Sequence, residues 1–216
     1  NMLGLAHIYF LKQDYPAATD LLTQYNDLFE PTAESELILG KIYLQQGKIK
    51  AAQTAIENVL ANDPSHIEAK FLLSMIFLSD EKEDGEKLLK EVVASPNASQ
   101  AMLDFNTTWQ EALQTKNEQY RKSLLAFGLL EAEQPYLALA VIEPVIEAVP
   151  QYRDAHYLLA VAYYQTDQFS EAALAVDNAL KIDKDHAASK ELKTAITKAL
   201  GEDTITPEPT ISEENN

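Results

Sequence analysis

The chain has 216 residues, 46% of them hydrophobic, with no cysteine and a net charge of −17. Lack of cysteine excludes disulfides, thiol catalysis and cysteine-ligated metal. The acidity disfavours nucleic acid, which needs a basic stripe to neutralise its phosphates. No apolar run approaches the ~20 residues that span a bilayer, and no signal-like segment is present.

Residues 1–31 open directly in a helical apolar pattern, Met2, Leu3, Leu5 and Ala6, with no capping residue before it. The expectation is a fragment or a processed chain, so an upstream export signal, lipid site or anchor stays open, as does the compartment: cytoplasm, or a bacterial envelope. A phrase of leucine, small residue and aromatic then recurs every 34 residues: Leu5-Ala6 with Tyr9, Leu39-Gly40 with Tyr43, Leu73-Ser74 with Phe77. Ala18 returns as Ala52, and further on Leu125-Ala126, Leu129 and Ala138 return as Leu159-Ala160, Tyr163 and Ala172. A 34-residue step marks a helix-turn-helix repeat. The first unit, 1–31, carries Tyr15, Ala18, Leu22 and Pro31. The second, 33–64, is the most complete, with Leu39, Gly40, Tyr43, Gly47, Ile49, Ala52, Ile56, Val59 and Pro64. Gly40 and Ala52 are small where two antiparallel helices cross closely, Gly47 suits the turn between them, and Pro64 stops the second helix.

These residues resemble the tetratricopeptide repeat family. The resemblance implies an all-α solenoid of antiparallel helix pairs, about five repeats in all, acting as a protein-binding scaffold. The third unit, 65–96, is degenerate in its second half, where Asp84-Gly85-Glu86 replaces the usual small apolar contact; its second helix is expected to be short and loosely packed. Leu73 and Leu125 hold the same repeat position but lie 52 residues apart, which leaves 18 to explain. Residues 99–116 fill that gap with Met102, Phe105, Trp109 and Leu113 at helical spacing. This inserted amphipathic helix runs on to about Glu131 as one rod or breaks near Asn117, a residue suited to capping the next helix. Units at 119–150 and 153–186 follow, the latter with His156 where the family usually has Trp. A capping helix spans 187–200, stopped by Gly201, and 202–216 reads as a disordered acidic tail. The domain reading is therefore an N-terminal lobe at 1–96, the insertion at 97–116, a C-terminal lobe at 117–201 and the tail.

No catalytic, cofactor or metal site emerges. His7, His66, His156 and His186 lie in different units without partners at ligand spacing. Residues 80–86 are acidic but lack the alternating ligands of a calcium loop. Neither a Gly-rich phosphate loop nor a nucleophile elbow is present. By register, the resemblance places the concave groove at Leu37, Lys41 and Leu44 in the second unit and at Phe71 and Met75 in the third. In the later units it falls on Phe127, Leu130, Tyr157, Val161 and Tyr164, and Leu3, His7, Phe10, Leu78 and Ser123 hold further groove positions. Members that clamp chaperone C-terminal carboxylates need Lys and Asn there, and only Lys41 fits. The expected activity is non-catalytic binding of an apolar peptide or an amphipathic helix. The alternatives are an anchored bacterial envelope assembly factor, the regulatory segment of a larger enzyme, and self-association as a homodimer through Trp109 of the inserted helix. Changing Phe127 or Tyr157 to Glu is expected to weaken partner capture while circular dichroism and melting stay unchanged; unfolding of either variant would assign that residue to the core.

Overall fold

The computed structural model describes residues 1–203, all-α among the described residues. The helices are α1 (Met2–Leu11), α2 (Tyr15–Leu28), α3 (Ala33–Gln45), α4 (Ile49–Asn62), α5 (Ile67–Ser79) and α6 (Glu83–Val93). There follow α7 (Gln100–Gln114), α8 (Glu118–Glu131), α9 (Pro135–Ala148), α10 (Arg153–Gln165), α11 (Phe169–Ile182) and α12 (Ala187–Asp203). They form a solenoid of antiparallel pairs closed by α12 as a capping helix.

The turns explain the repeat. Between α3 and α4, Gly47 sits at φ +68°, its N–H donates to the Leu44 carbonyl, and Lys48 N–H donates to the Tyr43 carbonyl at 2.8 Å. That is a Schellman closure, which satisfies the last carbonyls of the first helix and reverses the chain. The same pair of bonds recurs at Gln13, Glu81, Glu133 and Asp167, all at positive φ. In each, the acceptor of the longer bond is the phrase's aromatic position: Tyr9, Tyr43, Phe77, Leu129 and Tyr163. No left-handed residue occurs in the turn from α7 to α8. The turn from α8 to α9 thus has the repeat's geometry and the turn from α7 to α8 does not, which marks α7 as the odd helix.

Within pairs, small residues set the approach. A Cβ on Gly40 would lie 2.8 Å from Ile56 Cγ1. In the third pair the contact is Gly85, one residue earlier than the 34-residue step requires. Buried Gly85, Leu89 and Val92 answer to Ala52, Ile56 and Val59, all at a step of 33. Thus α6 is short, as expected, but it packs closely: a Cβ on Gly85 would meet the Leu78 backbone nitrogen at 2.8 Å.

Caps delimit the helices. Thr32 and Ser35 form a reciprocal capping box on α3. Ser99 accepts from Met102 N–H and Asn117 from Tyr120 N–H, so the 99–131 stretch is two helices separated by extended Thr115. Asp63 and Asp183, just beyond α4 and α11, each close a turn on the residue two ahead. The Asp63 carboxyl is held below the usual range by the Ser65 hydroxyl and then by the Ser65 N–H. The Asp185 N–H and the Arg153 guanidinium hold Asp183 down similarly. The capping helix α12 continues through Gly201 to Asp203, past the expected stop: glycine is tolerated at an exposed helix end, and nothing lies within 4 Å of a Cβ there. The rest of the expected tail, 204–216, lies outside the described residues.

The chain comprises two compact units, Asn1–Val145 and one beginning at Ile146. The changeover lies inside α9, one residue after Pro144, which removes a backbone hydrogen bond from that helix. These units are cut differently from the lobes expected at 1–96 and 117–201: α7, α8 and α9 as far as Val145 all fall in the first unit. In that unit Leu3, Ala6, Ala18, Leu22, Ile38 and Ile42 form one continuous core across the first two pairs. In the second, Ile196 of α12 packs with Ala160, Ala172, Ala175 and Val176. Gly85→Ala is expected to lower stability by about 1–3 kcal/mol in urea melts despite the better helix propensity of alanine, since the obstructing atom is backbone.

Candidate functional site

Groove positions in the first unit fall on α3, α5 and α8. Leu44, Phe71, Met75 and Leu130 are buried, Leu37 and Lys41 are half-buried, and Phe127 is 44% exposed. The burial of Phe71 has an identifiable cause. Phe105 of α7 meets it edge to face, with ring centroids 5.5 Å apart at 83°. On its other side Phe105 lies against Gly128 of α8, where an added Cβ would approach its ring at 3.3 Å. The odd helix therefore lies over the face of α5 that the repeat turns inward, wedged between the third pair and the fourth.

A second element closes the same face. The turn from α8 to α9 reaches α3, where Gln45 Nε2 donates to the Glu133 carbonyl at 2.9 Å across 88 residues of sequence. Beside it, the Tyr136 ring covers Gly47, where a Cβ would sit 2.8 Å from the ring. Between α1, α3, α5, the start of α7 and this turn a cavity of about 320 Å3 remains. Its apolar lining includes Phe10, Phe71, Leu72, Met75, Ala101 and Met102. Lys41 and Glu68 stand on it as an ion pair at 2.5 Å. Lys41, the one residue suited to a carboxylate clamp, thus already holds a carboxylate of its own chain. Of the expected groove residues, Phe10, Lys41, Phe71 and Met75 line this cavity, while Leu3, His7, Leu37, Leu44, Leu78, Ser123, Phe127 and Leu130 do not. The sequence reading missed Gln45 and Glu68, one turn from Lys41 and Phe71 on α3 and α5, and the 132–134 turn, which only chain closure brings to the site.

Trp109 of α7 is 9% exposed, beside a shallow hollow of about 200 Å3 with Leu78, Leu113, Leu125, Arg121 and Lys122. Lys122 bonds Glu81 at 2.8 Å and Glu118 at 3.0 Å, and the Glu81 hydrogen bond foremost holds its pKa above the usual lysine value.

In the second unit Tyr157, Val161 and Tyr164 share α10 and are half-buried. Tyr157 meets His186 edge to face at 5.3 Å, and Tyr164 leans on Phe169 at 5.6 Å. His156 is buried and its Nε2 donates to the Pro150 carbonyl at 2.8 Å, a structural role in place of the family's tryptophan. Among the described residues no group of three or more His, Cys, Asp or Glu is placed to hold a metal ion. Among them, too, no helix is long and apolar enough to cross a membrane.

Family models match the sequence twice: a tetratricopeptide repeat model over residues 38–99, and the Fis1 C-terminal tetratricopeptide repeat over 153–205. The chain belongs to the tetratricopeptide repeat family. Like other tetratricopeptide chains it is a protein- or peptide-interaction scaffold in the general sense. No curated relative matches it. Similar solved structures include the P58(IPK) TPR domain, 14% identical, with 94% of this chain and 66% of that one covered and a TM-score of 0.41. This chain thus spans just under two thirds of that domain. YrrB, described as a TPR protein with an unusual peptide-binding site, is 16% identical over 89% of this chain and 90% of its own, with a TM-score of 0.43. PilW, a widely conserved type IV pilus biogenesis factor, is 18% identical over 93% and 84%, also with a TM-score of 0.43.

Because Phe105 is the wedge on which the covered groove rests, Phe105→Ala is expected to destabilise the protein by about 3–5 kcal/mol in denaturant melts. Exposed Leu103 on the same helix is expected to tolerate alanine within about 0.5 kcal/mol.

Proposed function

We propose that this tetratricopeptide protein is a non-catalytic scaffold whose first unit captures an extended apolar peptide segment, seating one or two of its side chains in the cavity against Phe71, Met75 and Met102. The observation that carries this is the cavity's size and lining. At about 320 Å3 it falls within the range of ligand pockets, and an apolar wall of Phe10, Phe71, Leu72, Met75, Ala101 and Met102 stands beside polar groups from Lys41, Gln45, Glu68, Ser99 and the 132–134 turn. A whole amphipathic helix, ~10–12 Å across with its side chains, needs an open trough. Here α7 and the 132–134 turn occupy that trough, which favours the extended peptide of the two ligands expected from the sequence. The Lys41–Glu68 pair presents both signs of charge and so selects against neither acidic nor basic flanking residues, leaving apolar fit as the main discriminator.

Affinity follows from the same geometry. Two apolar side chains buried at ~1.5–3 kcal/mol each compete with association costs of ~4–15 kcal/mol, so single-site binding is weak and gains from multivalency. Ala101, exposed at the start of α7 and lining the cavity, offers a test. Ala101→Phe is expected to weaken binding of a peptide selected by display against the intact chain at least tenfold, with the melting temperature preserved. Unchanged affinity in a folded Ala101→Phe variant would remove the cavity from the function.

A further inference from the structure

The hollow beside Trp109 shares no lining residue with the peptide cavity. Its apolar wall is Leu78 of α5, Trp109 and Leu113 of α7 and Leu125 of α8, and of these Leu113 alone is exposed, at 38%. Most of the charged groups around it already hold one another. Lys122 is taken by Glu81 and Glu118, Lys82 by Asp80, and Glu86 by Lys90. Two donors are left over. The Arg121 guanidinium lines the hollow, half-buried, and makes no hydrogen bond or ion pair with any described residue. It acts on Glu118 only through space, as the least of the influences on that carboxyl. In a chain of 34 acidic and 17 basic residues, carboxylates are plentiful, and the other arginine, Arg153, holds two of them, Asp154 and Asp183. The second donor belongs to the wall itself: Trp109 Nε1 is buried and has no hydrogen-bond partner. Buried donors without an acceptor are uncommon in folded proteins.

We propose that this hollow binds a small apolar carboxylate, its carboxyl group held by Arg121 and its hydrocarbon part laid against Trp109, Leu113 and Leu125. Both unmet groups are donors, so the complementary ligand brings an acceptor. A guanidinium presents parallel N–H groups that match the two oxygens of a carboxylate. The adjoining wall asks for hydrocarbon beside that carboxylate. Charge narrows the class further: Glu81, Glu83 and Glu86 also line the hollow, so a monoanion enters at less cost than a dianion such as phosphate. Size sets the rest. At about 200 Å3 the hollow is smaller than the ~300–1,000 Å3 pockets that enclose drug-sized ligands, which suits a short branched acid or the last residue of a peptide.

Trp109 is the single tryptophan of the chain, so its fluorescence reports directly on this hollow. Titration of the 216-residue chain with isocaproate is expected to give a saturable change in tryptophan emission, with a dissociation constant in the millimolar range. Isocaproamide has the same shape without the charge and is expected to bind at least tenfold more weakly. Arg121→Gln is expected to lose at least tenfold in affinity for the acid while melting with the parent chain, because the guanidinium holds no other group in the folded protein. Acetyl-glycyl-glycyl-leucine with a free carboxylate separates the two sources of this chemistry: binding tighter than isocaproate assigns the hollow to a peptide end, and weaker binding assigns it to a free acid. The proposal is overturned if neither acid gives a saturable emission change or a saturation-transfer NMR signal up to about 20 mM. It is equally overturned if the amide binds as well as the acid, or if folded Arg121→Gln binds isocaproate like the parent.

Discussion

The architecture depends on one hydrogen bond made five times. At the end of each pair's first helix, the carbonyl of the residue four after the repeated leucine accepts from the N–H five residues on, around a left-handed residue. That closure fixes where the chain reverses, and the fixed reversal brings small residues, Gly40, Ala52 and Gly85 among them, to the crossing points. Only Gly47 adopts the left-handed conformation without a side chain to strain it; Gln13, Glu81, Glu133 and Asp167 hold it at a cost of ~1 kcal/mol or more each. In return the turns gain side chains. One of them, Glu81, binds Lys122 and so ties the third pair to α8.

The odd helix changes what the scaffold offers. A regular array would present its first helices as a continuous inward-facing trough. Here Phe105 stands between Phe71 and Gly128, and the trough of the first unit is reduced to a cavity. Ser99, Ala101 and Met102 of the insertion complete a hollow whose other walls, among them Phe10, Lys41, Phe71 and Met75, belong to the repeats.

The fold was legible because its signals are local. The 34-residue step, the surplus of 18 residues and the cap at Asn117 can all be read within a few turns of helix, and each corresponds to an element of the structure. The one-residue shift in α6 was hidden because Gly85 looked like a break in the pattern; in fact it supplies the small contact by moving the register from 34 to 33. The stop at Gly201 failed because glycine ends a helix only where another backbone path is favoured. The candidate site was half legible. Lys41, Phe71 and Met75 follow from register alone, whereas Gln45 and the 132–134 turn meet across 88 residues, and no periodicity reports a contact of that range.

That long-range contact also changes how the first unit comes apart. A helical array built only from neighbouring contacts frays from its ends, each pair opening nearly independently of distant ones. In the first unit, the bond from Gln45 to the Glu133 carbonyl and the seat of Tyr136 on Gly47 join the second pair to the fourth, and the Phe105 wedge fills the space between. Loss of α9 would uncover Gly47 and free the Gln45 amide, a coupling between the second pair and the fourth that a purely nearest-neighbour array lacks.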